Sequence, residues 1–388
     1  MTAELITGIG ELSTQAGADA ADPENRIRDA ALVIEGGRIA WIGPASRAPI
    51  ADERVDVEGR AVLPGWVDTH THLVFAGDRS AEFEARMAGE RYAAGGIATT
   101  MTATRAASEA ALTANAARLR REAERQGTTF LEAKTGYGLD VASETRSARA
   151  AASVADVVTY LGAHVVPPGV DRRDYLDLVT GPMLAAVAPL ADYIDVFCES
   201  GAFDVEESRE VLLAGRAAGL GLRVHGNQLG HSGGVALAVQ LGAASVDHCN
   251  ALSDSDVSAL ADSGTVATLL PACDLSTREP LAPGRRLLDA GAAVALASNC
   301  NPGTSYTTSM AFCVVTAVLQ MRLSVAEAVW AATRVAARSV GREHDIGMLR
   351  VGARADLQVL DAPSVAHLAY RPGVPLTSAV WRGGVRVL

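Results

Sequence analysis

Two histidines one residue apart, His70 and His72, follow the run Pro64-Gly65-Trp66-Val67-Asp68. In an extended chain residues i and i+2 point to the same face. Both imidazoles can therefore reach one point in space, as two ligands of one metal ion must. A catalytic metal site commonly keeps about three protein ligands and an open position for water. A third imidazole is available, because His225 ends the short apolar run Gly221-Leu222-Arg223-Val224. His164 and His248 close similar runs, at 157–163 and 244–247. Histidines at one end of several strands describe the mouth of a barrel. His231, in a Gly/Ser-rich loop, and His344 and His367, late in the chain, read as structural.

Bringing these histidines together requires parallel strands with helices between them. Ala61-Val62-Leu63 reads as the strand that enters the core ahead of His70, with Pro64-Gly65 bending the chain. Further strand candidates are 129–134, 157–163, 194–197, 221–224, 244–246, 265–270 and 293–297, which makes eight. Alanine-rich helical segments lie at 106–126, 145–155, 205–218 and 324–340. Eight β-α units predict an α/β fold, a (β/α)8 TIM-type barrel over residues 61–350, with its working residues at the C-terminal strand ends. Both chain ends are strand-rich instead. Two apolar runs flank Gly36-Gly37, a hairpin signature repeated around Gly383-Gly384. The economical expectation is a small composite β-sandwich built from residues 1–60 and 351–388.

Composition narrows the function. A chain of 388 residues with 49% apolar and 20% charged side chains can bury a large core. Its 34 basic and 45 acidic residues leave a net charge of −11, which argues against nucleic-acid and anionic-membrane partners. The five cysteines, Cys198, Cys249, Cys273, Cys300 and Cys313, show no C-x-x-C spacing, so core packing in a reducing compartment is expected. The N-terminal residues have no basic region followed by an apolar core, and no apolar stretch reaches the ~20 residues of a membrane helix. A cytoplasmic enzyme acting on a small molecule fits these facts, with a homodimer as the default assembly.

The motifs resemble the amidohydrolase superfamily and, within it, the imidazolonepropionase family of histidine degradation. The resemblance runs over essentially the whole chain. It rests on His70-Thr71-His72-Leu73-Val74-Phe75-Ala76-Gly77-Asp78-Arg79, Lys134-Thr135-Gly136-Tyr137-Gly138-Leu139, Leu161-Gly162-Ala163-His164-Val165-Val166-Pro167-Pro168 and Asn301-Pro302-Gly303-Thr304-Ser305. The H-x-H pair is shared by the whole superfamily; the other segments are much narrower. The resemblance implies opening of the ring of 4-imidazolone-5-propanoate by water, with one divalent metal ion, Zn or Fe. It implies His70, His72 and His225 as ligands, and Arg79, Tyr92, Tyr137, His164 and Gln228 as substrate contacts. Asn301, Gly303 and Thr304 match the ring-binding loop. A guanidinium suits the propanoate tail, because it can grip a carboxylate bidentately. His248 can stabilise developing negative charge. A modified lysine bridges two metals in some superfamily members, which directs attention to Lys134; the single-metal branch is the one resembled.

Two positions depart from the family pattern. The fourth ligand is an aspartate after the eighth strand, and this chain carries Asn299 in that catalytic and metal-binding place. An aspartate neutralises metal charge and takes a proton from the attacking water; an amide does neither. Gln228 stands three residues after His225 where many members have glutamate, and it can still hydrogen-bond a substrate. The leading reading is metal-dependent hydrolysis of a cyclic amide, impaired at Asn299. The alternatives are a related hydrolase acting on a modified imidazolone acid or another heterocycle, and a non-catalytic protein that binds such a metabolite.

Overall fold

The computed structural model describes residues 2–17, 25–89 and 96–388. Its first strands are β1 (Glu4–Leu12), β2 (Ile27–Glu35), β3 (Arg38–Pro44), β4 (Glu53–Asp56) and β5 (Ala61–Pro64). A second series follows: β6 (Trp66–Asp68), β7 (Thr128–Lys134), β8 (Val157–Ala163), β9 (Tyr193–Cys198), β10 (Gly221–Gly226), β11 (Ser245–His248), β12 (Val266–Leu269) and β13 (Val294–Leu296). The chain ends with β14 (Leu357–Leu360), β15 (Thr377–Arg382) and β16 (Val385–Arg386).

Strands β6 to β13 lie side by side in sequence order, and the registered neighbours are parallel. Past the strand ends a parallel bridge between Thr71 and Cys300 draws the first and last members together, with His72 N–H donating to Cys300 O at 2.9 Å. With helices between successive strands, this is the expected barrel. The remaining strands form one sheet in the order β16-β15-β14-β5-β1-β2-β3, with β4 also paired to β1. The two chain ends thus meet in one sheet.

Both hairpins close as their glycines require. Gly36 and Gly37 have φ of 59° and 77°, and Gly383 and Gly384 have 57° and 78°. Two successive left-handed residues make the turn whose twist matches a two-residue hairpin. The terminal sheet buries Ile6, Ile9, Leu32, Val62, Leu357 and Trp381 on one side.

The run Ala61-Val62-Leu63 is not the strand entering the barrel. It pairs with β1 and β14 in the terminal sheet, and Trp66–Asp68 is the barrel strand. An apolar run alone does not say which sheet it joins. Pro64 ends the first pairing, and Gly65 lets the chain pass so close to Thr129 that an added Cβ would stand 2.2 Å from its side chain. Helix limits follow their caps. Asp140 caps Val141–Ala152, four residues before the expected start, and the segment read as one helix over 106–126 is interrupted, with Glu109–Arg125 following a break after Ala106.

The chain divides into two compact units, Met1–Asp68 with Arg121–Phe130 and Ser309–Leu388, and Thr69–Arg120 with Leu131–Thr308. Every described candidate site residue belongs to the second.

Candidate active site

The H-x-H segment leaves β6 in an extended conformation fixed from both sides. Thr71 N–H donates to Glu132 Oε2 at 3.1 Å, and Asn299 N–H donates to His70 O at 2.9 Å. His225 stands within β10 and His248 at the end of β11. The Nε2 atoms of His70 and His72 are 3.3 Å apart, and those of His225 and His72 are 3.4 Å apart. Ligands at about 2.05 Å around a tetrahedral ion stand about 3.3 Å from one another. Both spacings are those of edges of a zinc-sized coordination tetrahedron, and the three donor atoms lie within 4.8 Å of one another, so the donor set fits one divalent ion.

The opposite edges of two rings are fixed by carboxylates. His70 Nδ1 is 2.7 Å from Asp247 Oδ2, and His225 Nδ1 is 3.0 Å from Asp195 Oδ2. A carboxylate on Nδ1 keeps the proton there and turns Nε2 outward as the donor atom. Behind them lies a fully buried charge cluster. Lys134 Nζ is 2.8 Å from Glu132, 2.9 Å from Asp195 and 3.8 Å from Asp247, and Arg223 is 3.4 Å from Asp247. Burial pushes the Lys134 amine down, but Asp195 and Glu132 outweigh it and raise it above the ordinary lysine range. Lys134 is therefore an ammonium held by carboxylates, an arrangement that leaves it unsuited to bridging two metals. Burial opposes ionisation of Asp247, yet Arg223 and His70 hold its carboxyl well below the usual range.

Four of the imidazoles, His70, His72, His164 and His248, are kept neutral. Burial, then the Lys134 charge, lowers His70 to about 3. Burial and neighbouring rings hold His72 and His248 well below the ordinary value, and His164 falls to about 4. Neutral rings are what both metal ligation and proton acceptance require.

One narrow cavity collects the remaining candidates. Its walls include His72, His225, His248, Asn299, Gln228, Arg79, Tyr137, His164, Asn301 and Thr304. His164 stacks on His72 with ring centres 5.6 Å apart, its Nδ1 2.9 Å from Gly136 O. The Tyr137 loop is held by Glu144, which accepts N–H bonds from Gly136, Gly138 and Leu139. Asn301 uses its amide on its own loop: Oδ1 accepts from Gly303 and Thr304 N–H, both at 2.8 Å, and Nδ2 donates to Asn299 O at 2.7 Å. Gly303 lies against Arg79, where an added Cβ would be 2.1 Å from Nη1. Tyr92 lies outside the described residues.

Asn299 is 2% exposed, and among the described residues its Oδ1 has no hydrogen-bond partner. Asn227, His248 and Asn299 follow or end strands with φ of 55°, 82° and 55°. Left-handed backbone of this kind concentrates at functional sites.

Sequence reasoning missed Asp195, Asp247, Glu132 and Arg223 as supports, and Glu199, which accepts the N–H of Gln228 at 2.9 Å. A signal existed. Glu132 and Lys134, then Arg223 and His225, are ionisable pairs at i and i+2 inside apolar strands, and so share the barrel's interior face.

Known proteins extend these observations. The profile of the Amidohydrolase family matches residues 61–386. The chain is 67% identical over 390 residues to the imidazolonepropionase of Saccharopolyspora erythraea, covering 100% of this chain and 99% of that one. It is 65% identical to the imidazolonepropionase of an Arthrobacter species, over 98% and 99% of the two chains. Among solved structures, a triazine hydrolase variant aligns with a TM-score of 0.76 at 18% identity, covering 100% of this chain and 94% of that one. An adenosine deaminase from Xanthomonas campestris with bound zinc aligns at 0.72 and 16%, over 99% and 92%. These distant likenesses speak to the fold alone, whereas the full-length identities and the family profile fix the lineage: the chain belongs to the amidohydrolase family and, within it, to the imidazolonepropionases.

Proposed function

We propose that this chain hydrolyses the cyclic amide of 4-imidazolone-5-propanoate to N-formimidoyl-L-glutamate. The observation that carries the reading is one cavity bordered by convergent histidines of the His70, His72 and His225 set and by the guanidinium of Arg79. The first is a place for a divalent ion, zinc or iron, and the second a place for a carboxylate. When bound, the ion supplies Lewis acidity toward the ring carbonyl and the attacking water.

The chain's own residues supply the rest. Arg79 takes the propanoate, and Tyr137 and His164 flank the ring. The Asn301–Thr304 loop and Gln228 complete the pocket. Water oxygen bonds to the ring carbonyl carbon, the carbon–nitrogen bond breaks, and the departing nitrogen becomes part of the formimidoyl group. The water proton needs an acceptor. Asn299 cannot take it, since an amide is not a base at neutral pH. His248 is neutral and, among the described residues, its buried Nδ1 has no hydrogen-bond partner, so it is the group left to accept a proton or to stabilise charge on the carbonyl oxygen.

Turnover of imidazolone propanoate by the purified chain, beside Asn299→Asp and with bound metal quantified, tests this. No turnover by either protein at full metal occupancy overturns the assignment. We place the enzyme in the cytoplasm, and as a homodimer, whose mass light scattering on the purified protein checks. Among the described residues no helix is long and apolar enough to cross a membrane.

A further inference from the structure

The guanidinium of Arg79 is already engaged. Its Nε donates to Glu82 Oε2 at 2.8 Å and its Nη2 to Glu82 Oε1 at 2.7 Å. This bidentate pair uses one edge of the guanidinium, and among the described residues Glu82 is the only hydrogen-bond partner of the Arg79 side chain. The Arg79 side chain is 6% exposed and that of Glu82 is 30% exposed, so this is not a solvated surface pair.

The pair is built in. A Cβ at Gly96 would stand 2.0 Å from Glu82 Oε2 and 2.2 Å from Arg79 Nη2. A Cβ at Gly303 would stand 2.1 Å from Arg79 Nη1. Two glycines therefore give the pair its room. Arg86, on the same helix as Glu82, donates to Gly303 O at 2.8 Å and so fastens the Asn301–Thr304 loop beside it.

We propose that Glu82 is a specificity-determining positioning residue: it grips the Nε–Nη2 edge of Arg79 and leaves the Nη1–Nη2 edge to select ligands that carry a carboxylate. The inference rests on the role given to Arg79 above. An arginine side chain left to itself samples many rotamers, and binding then bears the cost of ordering it, up to about tenfold in affinity. Glu82 orders it in advance. A bidentate edge also fixes the guanidinium plane, which a single contact does not.

Calorimetry on the zinc-loaded protein with two probes tests this: imidazole-4-propanoate, and 4-ethylimidazole, which keeps the ring and lacks the carboxylate. The unaltered chain should prefer the propanoate by about tenfold or more. Glu82→Ala should weaken propanoate binding by about tenfold and leave 4-ethylimidazole within about twofold. Glu82→Gln, which keeps the volume, should show the same selective loss in smaller measure, and it carries the test if the alanine variant fails to fold. In an Arg79→Met background Glu82→Ala should add nothing. Equal losses for both probes would make Glu82 a structural brace, and tighter propanoate binding would make it a competitor; either overturns the inference. A preference left undiminished in both Glu82 variants overturns it while sparing the Arg79 assignment. No preference in the unaltered chain removes both.

Discussion

Asp247 Oδ2 lies 2.7 Å from Nδ1 of His70, and neither side chain is exposed at all. The contact settles which ring nitrogen of His70 faces the cluster of histidines. Asp247→Asn keeps the size but offers a weaker acceptor and an amide that can turn the wrong way. The expected result is a 10–100-fold loss of affinity for zinc, the usual order for an outer partner of a metal-binding histidine, read by chelator competition. His70→Ala should remove most of the metal. Elemental analysis of the unaltered protein should give one ion per chain; two would show that the Lys134 ion pairs do not exclude a second.

Asn299 should limit the rate. A general base contributes roughly 10²–10⁴-fold. Among the described residues the buried Asn299 carbonyl oxygen has no hydrogen-bond partner, so a carboxylate of nearly the same size fits the same place. Asn299→Asp should raise kcat by about a hundredfold or more, with little change in the affinity for imidazole-4-propanoate. Full activity in the chain as it stands would show that His248 takes the proton as well as a carboxylate at position 299 would, and would overturn the rate limit set at Asn299.

Gly303→Ala tests the packing beside Arg79. A methyl group there meets Nη1 at 2.1 Å, inside any allowed contact, and Arg79 has Glu82 against its other edge. Propanoate binding should fall by about tenfold or more, since a displacement of order 1 Å is enough to cost that much. The melting temperature should move little, because the guanidinium can shift toward the cavity. A large fall in melting temperature with unchanged binding would contradict this placement.

Stability should decline from acid to neutral pH at Asp274. Burial pushes its carboxyl up to about 7, against hydrogen bonds from Asn250 and Ala282 N–H that work the other way. The unfolded chain releases this proton near pH 4, the folded chain near 7, so stability falls as pH rises between them. Asp274→Asn keeps an acceptor for Ala282 N–H without the charge. It should be close to neutral at pH 4 and stabilising by about 1–4 kcal/mol at pH 8, read from urea unfolding at the two pH values. An equal effect at both would show that Asp274 ionises normally in the fold.

The histidines were legible in the sequence because a metal site needs several imidazoles at strand ends, and few other arrangements put His70, His72, His164, His225 and His248 there. Seven of the eight barrel strands were legible for a related reason: short apolar runs between alanine-rich helices leave little choice. The eighth misled, because Ala61–Leu63 is as apolar as a barrel strand and only its pairing partners, far away at β1 and β14, decide its sheet. The buried carboxylates stayed hidden for the opposite reason. Asp195 and Asp247 look like ordinary charged residues until the fold shows that their partners, Lys134 and Arg223, come from other strands. The Arg79–Glu82 pair is local in sequence, yet nothing in an i, i+3 spacing distinguishes a part-buried clamp from a solvated helix pair.

The charge cluster behind the histidines also bears on how the barrel assembles. Its five members come from β7, β9, β10 and β11, all facing inward. Sliding any of these strands by one residue would turn an ionised side chain out among the apolar helices and strand its partners without a counter-charge. Purely apolar strands would tolerate such a slip far better, since one valine replaces another at small cost. Glu132, Lys134, Asp195, Arg223 and Asp247 therefore act as a proofreading device for strand alignment, and a misaligned barrel is penalised before any metal arrives.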